Sequence, residues 1–243
     1  MAHLQAELRR CENAKRPANT GRTSTGCIQL DRLFPQPGVA RGTLVEWLAS
    51  GSGGGALWLA LIVAREVCRN HGPLLLIDGA GTFYPPAAAR AGLDLGQMVV
   101  VHTSTARDES WALDQALRSG GVGAVLCQTD RLKPRAARRL QLAAEASGGV
   151  GFLVRPAAVR SEPCWAEARL LVEGRPGATD GHGRRLSVEV LKTRGTVASE
   201  LAQAKRVELE IDDETGVVRA VAQLAAPAVR RRPSAGVKRS RSA

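Results

Sequence analysis

"EWLASGSGGGALWLALIVARE", residues 46–66, decides the fold. It completes an apolar run, TLVEWL (43–48), that reads as a strand. A glycine-rich turn follows, and residues 56–70 then read as an apolar helix. A strand feeding a helix is the repeating unit of an α/β fold, and the chain repeats it. LLLID (74–78), MVVVH (98–102), AVLCQ (124–128) and GFLVR (151–155) are continuous apolar runs. Such runs suit parallel strands buried on both faces. Helical segments are predicted between them at about 86–91, 106–119 and 134–147. The pattern predicts a doubly wound, mostly parallel α/β sheet with helices on both faces. After residue 160, ARLLVEG, LSVEVLKT, RVELEID and GVVRAVAQL alternate more and are separated by turn residues. They predict C-terminal antiparallel strands extending the sheet, with EIDDETGVV as a hairpin or β-turn connection.

The turn has the shape of a phosphate-binding loop. Such loops surround an anion with backbone N–H groups and a helix N-terminus, and glycines let the backbone curl closely. A lysine then neutralises the β- and γ-phosphates, and a Ser/Thr hydroxyl holds Mg²⁺. The pattern falls here on Ala49, Ser50, Gly51, Ser52, Gly53, Gly54, Gly55 and Ala56. Gly55 stands where the lysine belongs and Ala56 where the hydroxyl belongs. Moving the register back by one residue supplies neither. The loop is therefore a degenerate cofactor site, from which no nucleotide or metal is expected.

Composition narrows the classes. With 243 residues and 44% hydrophobic content, the chain can bury one substantial core. No apolar run approaches the ~20 residues of a membrane span. MAHLQAELRRCENAKRP lacks the apolar centre of a signal peptide, which points to a cytoplasmic protein with no membrane partner. The cysteines at 11, 27, 68, 127 and 164 form neither a disulfide framework nor a zinc pattern. The net charge is +11, and six Lys/Arg lie in RRRPSAGVKRSRSA, so about half of the excess sits in the tail. Arg230, Arg231, Arg232, Lys238, Arg239 and Arg241 are candidates for direct contact with DNA, or act as a solubilising terminus. Residues 1–23 read as a short polar helix and linker, 24–227 as the core domain, and 228–243 as a basic disordered tail.

The stretch STGCIQLDRLFPQPGVARGTLVEWLASGSGGGAL is similar to the start of the RecA core: S-T-G, L-D, R-G, a strand, then the phosphate loop. LLLIDGAGTFYPPAAARAGLDLGQMVVV resembles the second RecA strand and its connection to the next. DESWALDQALRSGGVGAVLCQTDRL resembles the helix and strand leading to the metal-binding aspartate. Within RecA-like proteins, the closer resemblance is to the ImuA family of translesion-mutagenesis proteins, which is also related to SulA. Its carriers are GTFYPPAAARAGLDL, ALRSGGVGAV, RRLQLAAEASGGVGFLVRP and VEVLKTRG. RecA's water-activating glutamate maps to Ala80, and its strand-ending aspartate to Cys127, with Gln128 next and Asp130 three residues late. These departures, with Gly55 and Ala56, imply a pseudo-ATPase with no catalytic residues.

The resemblance implies a scaffold in an error-prone translesion synthesis complex of the SOS response. Its implied partners are an ImuB-like Y-family polymerase homologue, an error-prone replicative-type polymerase, and RecA. An active RecA-paralogue ATPase and a SulA-like cell-division inhibitor are the alternatives. Other residues are candidates for contact. Arg135, Arg138 and Arg139 share a helix, and read either as a DNA or acidic-partner surface or as a solvated face. By the resemblance, Lys192 and Arg194 follow a strand toward DNA-facing loops. Phe83-Tyr84-Pro85-Pro86 reads as a packed turn or a partner-binding knob, with core packing favoured. Trp111 and Trp165 read as core, or else as interface anchors.

Overall fold

The computed structural model describes residues 21–51, 55–176, 183–194 and 206–221. The expected helix over 2–14 and the basic tail lie outside the described residues. Nine strands form one sheet. In chain order they are β3 (Thr43–Ala49), β4 (Leu74–Asp78), β5 (Met98–His102), β6 (Ala124–Gln128), β7 (Val150–Pro156), β8 (Ala168–Arg175), β9 (Gly183–Thr193), β10 (Arg206–Asp212) and β11 (Val218–Ala220). The sheet order is β11-β10-β9-β8-β3-β7-β6-β4-β5. From β8 to β5 every neighbour is parallel; β9, β10 and β11 add antiparallel. Within this sheet, the strand read differently is β8. It lies parallel to β3, with Val45 opposite Ala168, because the 157–167 connection is long enough to carry the chain back before it enters the sheet.

Helix α2 (Ala56–His71) covers one face of the sheet; α4 (Ala106–Arg118) and α5 (Pro134–Ser147) cover the other. Strand alternation sorts the side chains between these layers. Val45 and Trp47 join the α2 side, where Trp47 meets Phe152 with ring centroids 6.5 Å apart. Leu44 joins the α4/α5 side. Helix α4 begins at Thr105, whose hydroxyl accepts the Asp108 N–H at 3.1 Å. Helix α5 begins at Pro134 and ends at Gly148, a left-handed residue with φ 76°. Gln141 is buried on α5: its amide accepts the Leu44 N–H at 3.1 Å and donates to the Gly42 carbonyl at 3.2 Å. It thereby satisfies backbone groups at the start of β3 that burial would leave unpaired. Among the described residues, no helix is long and apolar enough to cross a membrane.

The N-terminal motif has a physical role. Asp31, in the short helix α1 (Ile28–Asp31), accepts from the Ser24 hydroxyl (2.6 Å), the Thr25 N–H (2.7 Å) and the Thr25 hydroxyl (2.6 Å). One carboxylate therefore binds S-T-G to L-D. Just before it, where a linker is read from composition, β1 (Arg22–Thr23) pairs antiparallel with β2 (Val39–Ala40). Arg22 also bonds Glu167 at 3.0 Å and the Gly38 carbonyl, so the packed chain includes these residues. The short helix α3 (Pro85–Arg90) starts on the expected proline pair.

Candidate functional site

In open parallel sheets, ligands bind outside the carboxyl ends of the strands. A cavity of about 370 Å³ lies there, within the usual range of ligand sites. It is bounded by the end of β3, the start of α2, the loop after β4, the end of β6 and Arg184 of β9. Its apolar lining includes Leu57, Trp58, Leu61 and Phe83. Of the loop residues, Ala49, Gly51, Gly55 and Ala56 line it; Ser50 lines an adjoining hollow with Asp130. Ser52, Gly53 and Gly54 lie outside the described residues.

Gly55 explains why the site has no lysine. It precedes α2 with φ 78°, the left-handed region that L residues rarely adopt. A Cβ built there would lie 2.5 Å from Leu186 Cδ2. Leu186, 2% exposed on β9, thus fills the space that any side chain at 55 would enter. The cation that lines the cavity is Arg184, two residues before Leu186 on the same strand. Its Nε lies 2.8 Å from Asp213 Oδ1, and its guanidinium sits 5.5 Å from the Trp58 ring centroid. It is a side chain already engaged by a carboxylate and an indole.

The carboxylate positions fare no better. Ala80 is exposed in the turn after β4. Cys127 is fully buried and faces the α4/α5 layer, so strand alternation points Gln128 at the cavity instead. The position facing the site is therefore 128 rather than the expected 127, and it too holds no charge. Burial, followed by the nearby Glu109 and Asp78 charges, pushes the Cys127 thiol pKa up, so it remains protonated. Asp78 is the acid lining the cavity. Burial works against its charge, but N–H donors from Phe83, Thr82 and Gly81, with His102 nearby, hold its pKa below the usual carboxylate range. The Thr82 and Phe83 bonds measure 3.1 and 2.9 Å. Those bonds fold the 79–84 loop and leave Asp78 as a structural acceptor. Tyr84 follows at the rim, 66% exposed, so it is not the core residue that its prolines suggested.

The basic candidates divide. Arg139 pairs with Asp114 at 3.1 Å, and Arg194 with Glu145 at 2.8 Å. That pairing, then the Gln141 amide, lowers the Glu145 pKa. Lys192 lies within β9 instead of after it, and donates to the Cys164 carbonyl at 2.8 Å. These three tie elements together. Arg135 and Arg138 are exposed and have no carboxylate within salt-bridge distance among the described residues. Trp111 packs partly buried on the α4/α5 core, but Trp165 is 40% exposed, contrary to the core reading. Arg230, Arg231, Arg232, Lys238, Arg239 and Arg241 lie outside the described residues.

Sequence reasoning missed a buried ion cluster on the α5 side of the sheet. Glu46 of β3 sits 2.6 Å from Arg169 of β8 and 3.8 Å from Arg155 of β7. Arg169 Nη1 also donates to the carbonyls of Arg160 (2.9 Å) and Glu162 (2.7 Å). The available signal was three charged residues inside runs otherwise apolar enough to be buried strands.

No protein-family model matches the chain. RecA of Clostridium acetobutylicum is 29% identical over 108 residues, which is 44% of this chain and 31% of that protein. RecA of Rhodopirellula baltica is 26% identical over 103 residues, covering 42% and 27%. The match thus spans about a third of the length of these RecA proteins or less. A crystal structure of the RadB recombinase superposes with a TM-score of 0.61 at 14% identity, covering 82% of this chain and 99% of that one. The RadB likeness extends to the fold as a whole, and the RecA likeness to less than half of the sequence. The first is a likeness of fold and the second a likeness of sequence to RecA over part of the chain.

Proposed function

We propose that this chain is a non-catalytic RecA-like accessory protein that scaffolds an error-prone translesion DNA synthesis complex. The observation that carries the first half is the cleft at the carboxyl ends of the strands. Phosphoryl transfer needs positioned charge: a cation on the phosphates, a metal ligand and a water-orienting carboxylate. Here those positions hold Gly55, Ala56, Ala80 and the uncharged Cys127–Gln128 pair, while Leu186 closes the space beside Gly55. The second half rests on the ImuA-like stretches, among them GTFYPPAAARAGLDL and VEVLKTRG. A RecA-shaped surface without turnover docks partners near damaged DNA. Its partners on this reading are an ImuB-like Y-family polymerase homologue, an error-prone replicative-type polymerase and RecA. The basic tail adds salt-sensitive contact with DNA.

Affinity purification of the tagged chain from cells exposed to DNA damage tests the role. A polymerase or recombination protein is expected to be enriched over a tag-only control. Recovery of neither class, with the bait abundant, would count decisively against it.

A further inference from the structure

We infer that the outer face of α5, together with Trp165, is a preformed docking surface for an acidic protein segment with an apolar side chain between its carboxylates. This rests on the reading of the chain as a scaffold, and it names the chemistry of one partner. Trp165 lies in the β7–β8 connection between two buried residues, Cys164 (7% exposed) and Ala166 (3%), yet it is itself 40% exposed. The loop that carries it is fixed. Arg169 holds the carbonyls of Arg160 and Glu162 from below, and Lys192 holds the carbonyl of Cys164. A large aromatic displayed on a rigid segment loses little entropy on binding, which is the character of interface hot spots.

What surrounds Trp165 specifies the occupant. The Arg138 guanidinium lies 4.5 Å from the ring centroid. Arg135, Arg138 and Leu142 follow one another at i, i+3 and i+7, and so line one stripe of the helix. Leu142 is 50% exposed, among the most exposed large apolar residues described. Neighbouring Arg139 and Arg194 pair with carboxylates; Arg135 and Arg138 have none at salt-bridge distance among the described residues, though the Arg138 charge is felt by Glu145. The surface therefore offers two guanidiniums with no carboxylate at salt-bridge distance among the described residues, one of them stacked on Trp165, beside two exposed apolar side chains. Carboxylates answer the first pair, and an apolar side chain answers the second. A nucleic acid would use the cations but leave Leu142 unmatched, and one face of the Trp165 ring is already covered by Arg138.

The test uses the full chain at 150 mM salt and fluorescein-labelled 16-residue helical peptides read by anisotropy. One peptide carries Glu residues flanking a Leu at helical spacing. A second replaces Glu with Gln, a third replaces Leu with Ala, and labelled oligo-dT serves as the nucleic-acid probe. The acidic, Leu-containing peptide is expected to bind at least tenfold more tightly than either control. Trp165→Ala, Leu142→Ala and the Arg135→Ala/Arg138→Ala pair should each weaken it by about tenfold, with thermal melting confirming that each variant folds. Trp165→Ala and Leu142→Ala leave every charge of the basic tail in place, so attraction to the tail alone would not respond to them. Equal binding of the Gln or Ala peptide, or indifference to Trp165 and Leu142, would overturn the proposal. So would loss of oligo-dT binding in those variants with peptide binding unchanged. The scaffold role is judged separately, by recovery of polymerase with the wild-type chain.

Discussion

Glu46→Ala is expected to cost about 3–5 kcal/mol of folding stability, the range for removing one partner from a buried ion pair. Glu46 is 1% exposed, and Arg169 and Arg155 beside it are 2% and 3% exposed. Taking the carboxylate away leaves two guanidiniums out of water. Arg169 keeps its carbonyl partners, and Arg155 keeps Glu162 at 2.9 Å, but neither retains a buried counter-charge. A domain of this size has about 5–15 kcal/mol in total, so the loss is a large fraction of it. Urea melts of wild type, Glu46→Ala and Glu46→Gln read it directly. Glu46→Gln keeps the shape and loses the charge, so it should fall close to the alanine variant. A cost under about 1 kcal/mol for both would mean that the cluster is hydrated. Because Arg169 also pins the 157–162 segment, the same substitution should loosen the loop that displays Trp165.

The central strands were legible because they are buried on both faces, as β4 is. LLLID, MVVVH and AVLCQ read as strands at the bounds the structure gives them, although MVVVH, with the same apolar character, lies at the sheet edge and is only half-buried. The direction of β8 was not legible. Local pattern records which residues are buried, and it does not record which neighbour a strand pairs with. The degenerate loop could be read from residue types alone, as could Ala80. The facing of Cys127 and Gln128 depended on strand alternation relative to a cavity that only three dimensions define. Leu186 was invisible for the same reason: it is 131 residues from Gly55 in sequence and reaches it through the antiparallel extension of the sheet. The prolines beside Tyr84 and the bulk of Trp165 both favour core packing, yet both side chains are exposed. What set them outside was backbone path, with buried neighbours on either side of Trp165 taking the inward positions.

Gly55→Lys, which would restore the lysine of the phosphate-loop pattern, is expected to destabilise the chain without creating an ATPase. A left-handed residue with a Cβ costs roughly 1–2 kcal/mol. Forcing that Cβ into Leu186 adds about 1–3 kcal/mol of overpacking, because a Cβ there would meet Leu186 Cδ2 at 2.5 Å and Leu186 is buried. Gly55→Ala carries the same backbone and Cβ penalties without the charge. It should therefore lose a similar 2–5 kcal/mol in denaturant melts. A Gly55→Ala variant as stable as wild type would show that the turn readily adopts an ordinary phosphate-loop conformation. Even then, the lysine would act without its usual companions, since Ala56 supplies no hydroxyl, Gln128 no negative charge and Ala80 no carboxylate.

Steady-state ATP hydrolysis by the purified wild-type chain with Mg²⁺, with and without single-stranded DNA, tests directly whether the cleft turns over nucleotide. The cleft described here predicts phosphate release no greater than that of a buffer blank under both conditions. DNA-stimulated turnover that co-elutes with the folded protein and is lost on substituting residues lining the cavity would contradict it.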